Sequence, residues 1–98
     1  MNIEKTINGV ELLITLNGRL DTTTAPLLEA ELKREISGKK SLIFDFANLE
    51  YLSSAGLRVL LSAQKVMNKQ GEMVIKNVND IIMGVFELTG FAEILTIE

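Results

Sequence analysis

The chain has 98 residues, enough for one domain and too few for two, and 47% of them are hydrophobic, so a real core can be buried and the composition argues against intrinsic disorder. Its formal net charge of -3 comes from 10 basic and 13 acidic residues mixed along the chain, and its only aromatic residues are four phenylalanines and one tyrosine. Nothing tracks a phosphate backbone or stacks on bases, which argues against nucleic-acid binding, and the absence of cysteine and histidine removes disulfides, thiol chemistry, ordinary zinc sites and most hydrolase mechanisms. No cofactor or metal is therefore expected. The N-terminus, Met1-Asn2-Ile3-Glu4-Lys5, has no apolar signal core, and no apolar run nears the roughly 20 residues that span a bilayer. A cytoplasmic protein with no membrane insertion is the expectation.

Ile3 to Ile7 reads as a short strand, and Asn8-Gly9 is a hairpin signal. Val10, Leu12, Ile14 and Leu16 then alternate along a second strand with one buried face. Gly18 to Thr24 is a loop rich in turn and capping residues. Ala25, Leu28, Leu32 and Ile36 mark a helix that starts beside Pro26 and ends at Gly38. Leu42 to Phe46 suits a central strand. From Ser54 to Gln70 the period is helical, with Val59, Leu60, Ala63, Val66 and Met67 inward, and Gly71 closes the helix. Glu72 to Lys76 is a fourth strand. A last helix spans about Asn79 to Thr89, with Ile81, Ile82, Val85 and Leu88 inward and Gly90 as its stop, and Ile94 to Ile97 closes the chain as a short strand. The order β-β-α-β-α-β-α-β implies a single α/β domain over residues 1–98, a mixed sheet with helices packed on it.

Chemistry is most legible in Tyr51-Leu52-Ser53-Ser54-Ala55-Gly56-Leu57-Arg58, which joins the central strand to the second long helix. Sites in open α/β sheets lie at the carboxyl ends of strands. A phosphate on a serine here would meet a helix N-terminus, where free N–H groups favour negative charge. On local sequence alone the two serines read first as ordinary helix caps, and Gly56 as a close-packing residue. Ser54, Leu57, Arg58 and Leu61 recur at three and four residues, which places them on one strip that could dock a partner or pack against the neighbouring helix. Asp21 could simply cap the first helix with Thr22 to Thr24.

Two segments, Asn17-Gly18-Arg19-Leu20-Asp21-Thr22-Thr23-Thr24-Ala25 and Asp45 through Leu61, together with the ending Leu88-Thr89-Gly90-Phe91, resemble the STAS domain, the family of sulfate transporters and anti-sigma factor antagonists. The likeness covers nearly the whole chain and is nearest to the stand-alone bacterial antagonists. It implies a partner-switching module with no catalytic activity. In such a module the unmodified antagonist is expected to bind an anti-sigma factor, itself a serine kinase of the histidine-kinase-like fold, and so release a sigma factor; phosphorylation is expected to end the binding and a serine phosphatase to restore it. The family's Ser-x-Gly-Leu pattern places the phospho-acceptor at Ser54, with Ser53 as the alternative. It sets Asp21 and Gly56 near that serine, and the strip of Leu57, Arg58 and Leu61 becomes the expected partner surface. The chain departs from the family in having Ser53 where an Asp usually precedes the acceptor, and Ala55 where Ser or Thr often follows. That departure keeps a second reading open, a STAS subunit bound to the ATPase of an ABC-type lipid-transport complex. An enzyme with Ser54 as nucleophile is disfavoured, because no histidine is available to activate it.

Overall fold

The computed structural model describes residues 1–98. Its elements are β1 (Asn2–Asn8), β2 (Glu11–Leu20), α1 (Ala25–Glu35), β3 (Ser41–Leu52), α2 (Ser54–Gln70), β4 (Glu72–Lys76), α3 (Asp80–Thr89) and a 3-10 turn at Phe91–Glu93. The strands lie side by side in chain order, with β1 and β2 antiparallel and β2, β3 and β4 parallel. A two-residue loop, Gly9-Val10, joins the first pair, and Gly9 supplies the positive φ of 62° that such a turn needs. The mixed α/β sheet agrees with the expected architecture. The expected closing strand is reduced to one parallel bridge between Ile75 and Ile97.

Alternation along the strands sends Leu12, Ile14, Leu16, Leu42, Phe44, Phe46, Met73 and Ile75 to one face. The helices cover that face with Leu28, Leu32, Leu60, Met67, Ile82 and Phe86, all essentially inaccessible to solvent. Lys5, on the same side of β1, reaches across to α1 and meets Glu35 at 2.6 Å and Glu31 at 2.9 Å. On the opposite face Leu13, Ile43 and Val74 are only partly buried.

Both parallel strands run further toward the candidate site than their apolar runs suggest. β3 takes two extra residues against β2, where the pairing shifts between Thr15 and Asn17 and again between Gly18 and Arg19. Each irregularity changes the phase of alternation, so Leu49 and Leu52 return to the core after Phe46 despite their uneven spacing. As a result the ends of β2 and β3 are in register, Leu20 beside Leu52.

Two helix faces differ from expectation. On α2, Leu57 and Gln64 are buried and Val66 is 39% exposed. On α3, Ile82 and Phe86 point inward, whereas Ile81 and Leu88 face solvent. Val85 is partly buried. α3 is apolar nearly all round, so periodicity alone cannot choose its inner face. The choice falls to Phe86, which stacks on Phe46 with ring centroids 6.4 Å apart.

Candidate functional site at the carboxyl ends of β2 and β3

The paired strand ends carry two loops into contact. After Leu20 the chain turns through Asp21–Thr24 into α1, and after Leu52 it enters α2 within one residue. The N–H of Ser53 donates to the carbonyl of Leu20 at 2.9 Å, which ties the start of α2 to the end of β2. Asp21 and the Ser53-Ser54 pair are thereby brought to one edge of the molecule.

The two serines have different tasks. Ser53 is the N-cap of α2, with extended φ and ψ of -96° and 172°, and its hydroxyl oxygen accepts from the N–H of Gly56 at 3.3 Å. Ser54 is the first residue of the helix, is exposed, and its hydroxyl makes no hydrogen bond within the chain. Capping therefore accounts for Ser53 and leaves Ser54 unexplained by local structure. The same capping role is open to Asp, since Asp and Ser are nearly equal caps, so the departure at position 53 conserves the geometry. Ser53→Ala is expected to lower stability by about 1 kcal/mol, and Ser54→Ala to change it by less than about 0.5 kcal/mol. Urea unfolding of the two variants checks this, and equal losses would mean that the two hydroxyls share the cap.

Gly56 lies in the first turn, where a Cβ would fall 2.7 Å from Leu20 Cγ and 2.8 Å from Leu52 Cδ1. It lets α2 seat directly on the strand ends. The expected partner strip is corrected in one member. Leu57 is only 5% exposed and belongs with Leu60, Gln64 and Met67 to the buried side of α2. Arg58 is exposed and without an ion pair, and Leu61 is partly exposed. Both line an open groove of about 380 Å³ between α1 and α2, with Thr22, Ala25, Pro26 and Ala55 among its other walls.

Asp21 orders the neighbouring loop and does not cap α1 in the simple sense. Its Oδ1 accepts from the Thr23 hydroxyl at 2.8 Å and from the N–H groups of Thr23 and Thr24 at 3.0 and 3.1 Å. The Thr24 hydroxyl in turn accepts from the Asp21 N–H and donates to the Arg19 carbonyl. Arg19 lies 3.7 Å from Asp21 Oδ2 and stacks over the Tyr51 ring at 4.1 Å. The Thr23 hydroxyl, helped by the two backbone donors and opposed by partial desolvation, holds the Asp21 carboxyl down at about 2. A carboxyl whose folded value lies below its ordinary 3.8 stabilises the fold fully above about pH 4 and loses that effect as pH falls through about 2. Acid unfolding of Asp21→Asn is therefore expected to lack a component that wild type shows between about pH 4 and 2; identical acid profiles would contradict the assignment.

No group of three or more acidic side chains is placed to hold a metal. No helix is long and apolar enough to cross a membrane.

Comparison with known proteins agrees with this architecture. The family model described as STAS domain matches residues 2–98. BtrV of Bordetella bronchiseptica, a candidate anti-sigma factor antagonist, is 38% identical over 93 residues, covering 93% of this chain and 79% of the relative. The anti-sigma-B factor antagonist of Staphylococcus aureus is 30% identical over 97 residues, covering 97% of this chain and 90% of the relative. Among solved structures, the anti-sigma factor antagonist SpoIIAA of Bacillus superposes in its unphosphorylated form with a TM-score of 0.85 at 18% identity, over 99% of this chain and 88% of that one. Sequence match over nearly the whole length, and a fold shared with a solved antagonist, place this chain in the STAS domain family.

Proposed function

We propose that the protein is an anti-sigma factor antagonist, a regulatory binding module switched by phosphorylation of Ser54. The observation that carries this reading is the unoccupied, exposed hydroxyl of Ser54 at the start of α2, in a chain whose curated relatives bear that functional name. In the unmodified state the surface formed by Ser54, Arg58, Leu61 and the Asp21 loop docks an anti-sigma factor and frees the sigma factor it held. The partner is a serine kinase of the histidine-kinase-like fold, and a serine phosphatase resets the cycle in the cytoplasm. A phosphate on Ser54 carries about -1.5 to -2 charge. It sits at a helix N-terminus, so the free chain tolerates it while an interface closing over it does not.

The transporter-subunit reading drew its support from the missing Asp before Ser54. Ser53 supplies the same cap, and the relatives carry antagonist names, so that reading is not favoured.

The test is reconstitution with each histidine-kinase-like regulator encoded by the source organism. The expected result is a stable complex with one of them. Addition of Mg-ATP should then put one phosphate on the chain, mapped to Ser54 and not Ser53 by peptide mass spectrometry, and dissolve the complex. Failure to bind any such regulator, or phosphate on Ser53, would overturn the assignment.

A further inference from the structure

The last helix presents an apolar strip that the chain leaves largely uncovered: its two ends face solvent and only Val85 between them is partly buried against the core. α3 buries Ile82 and Phe86. Ile81, Val85 and Leu88, spaced by four and three residues, share a different side of the helix. Ile81 is 74% exposed and Leu88 is 92% exposed. A single exposed leucine is ordinary, but three large apolar side chains in succession along one strip of a ten-residue helix make a contiguous patch. None of them lines the groove between α1 and α2 beside Ser54.

Charge defines what the strip can meet. Residues 77–98 hold four acidic side chains, Asp80, Glu87, Glu93 and Glu98, and no lysine or arginine, whereas residues 1–76 hold ten basic against nine acidic. The net charge of -3 is thus concentrated at this end of the chain. Glu98 lies 3.9 Å from Lys76, and the other three acids have no cationic partner. Asp80 and Glu87, seven residues apart, stand two turns from each other along one border of the strip.

We propose that this face of α3 is a second protein-docking surface, distinct from the Ser54 end of α2, and that its occupant is a basic amphipathic helix. The occupant's apolar side would cover Ile81, Val85 and Leu88, and its lysines or arginines would meet Asp80 and Glu87. A second copy of this chain is the wrong occupant, because a two-fold contact would bring two acidic segments together. An anionic membrane is repelled for the same reason.

Nuclear magnetic resonance of the full, isotope-labelled chain tests this, with a synthetic leucine–lysine amphipathic helix of roughly 18 residues, about five turns, as the probe. The expected result is amide shifts confined to residues 80–94, weakened by added salt. They should be unchanged in Ser54→Asp, and affinity should fall at least about tenfold in Ile81→Ser/Leu88→Ser. Both substituted positions are exposed, and retained Phe86 and Phe46 ring signals show that the variant is folded. Shifts elsewhere, equal binding of a leucine–glutamate version of the probe, concentration-dependent self-association through α3, or capture by anionic vesicles would each overturn the proposal. The readout does not involve the anti-sigma partner, so failure of the Ser54 reading leaves this test intact.

Discussion

Ser54→Asp is expected to weaken binding to the anti-sigma partner by about 100-fold or more, while leaving the free protein as stable as wild type or slightly more so. The binding loss follows from placing a fixed negative charge in a surface that must shed water on docking. Like-charge or unpaired buried charges cost several kcal/mol, and about 2.7 kcal/mol already corresponds to 100-fold. The stability expectation follows from position. Ser54 is the first residue of α2, exposed and free of hydrogen bonds, and a carboxylate in a first helical turn is favourable by about 0.3–1 kcal/mol. Binding can thus be lost without unfolding, and calorimetric titration beside a thermal melt separates the two.

Ser53→Asp is the informative companion. It keeps an oxygen acceptor for the Gly56 N–H and restores the residue that the family resemblance leads one to expect there. It adds a charge only one residue away, yet at a position whose side chain turns into the cap. Its effect on binding should be much smaller. If Ser53→Asp abolished binding and Ser54→Asp did not, the acceptor would be Ser53 and the register of the motif would have been read one residue out.

Part of this arrangement is legible in the sequence. The boundaries of α2 at Ser54 and Gln70 follow from a serine pair, a clean helical period and a glycine stop, three local signals that agree. The nearness of Asp21 to Ser54 is what the family resemblance implies, and the paired ends of β2 and β3, Leu20 beside Leu52, bring the two loops to one edge. Four features were hidden, each because tertiary packing decides it. The division of labour between Ser53 and Ser54 depends on which residue leaves the helical φ and ψ, and two adjacent serines cannot announce that. Leu57 sits at the edge of its strip, and its burial is settled by the strand ends beneath α2. The inner face of α3 depends on Phe86 finding Phe46, forty residues away in sequence. The phase changes in β3 arise from an irregular pairing with β2, which no single-strand pattern contains.

Two glycines, one closing α2 and one inside α3, are expected to respond in opposite directions to alanine. Gly71→Ala should destabilise the protein by about 3 kcal/mol or more, a fall in melting temperature of roughly 12–24 °C for a chain of this size. The reason is not a left-handed turn, since Gly71 has φ of 178°, which any residue adopts. A Cβ there would lie 2.0 Å from the Lys40 carbonyl oxygen. That carbonyl cannot withdraw, because it accepts from the Glu72 N–H at 3.0 Å to open the β3–β4 ladder, while the Lys40 N–H donates to Val10 at 2.8 Å. Relief therefore requires breaking backbone pairing at the start of two strands. Gly84, in the middle of α3, has nothing within 4 Å of its would-be Cβ, so alanine there only gains helix propensity and should stabilise by about 0.5–1 kcal/mol. Denaturant unfolding of both variants decides the matter. A mild loss in Gly71→Ala would mean that α2 can lift from the β3 entrance without disturbing the sheet. The strand ends that present Ser54 would then be less rigidly coupled to the helix than this packing requires.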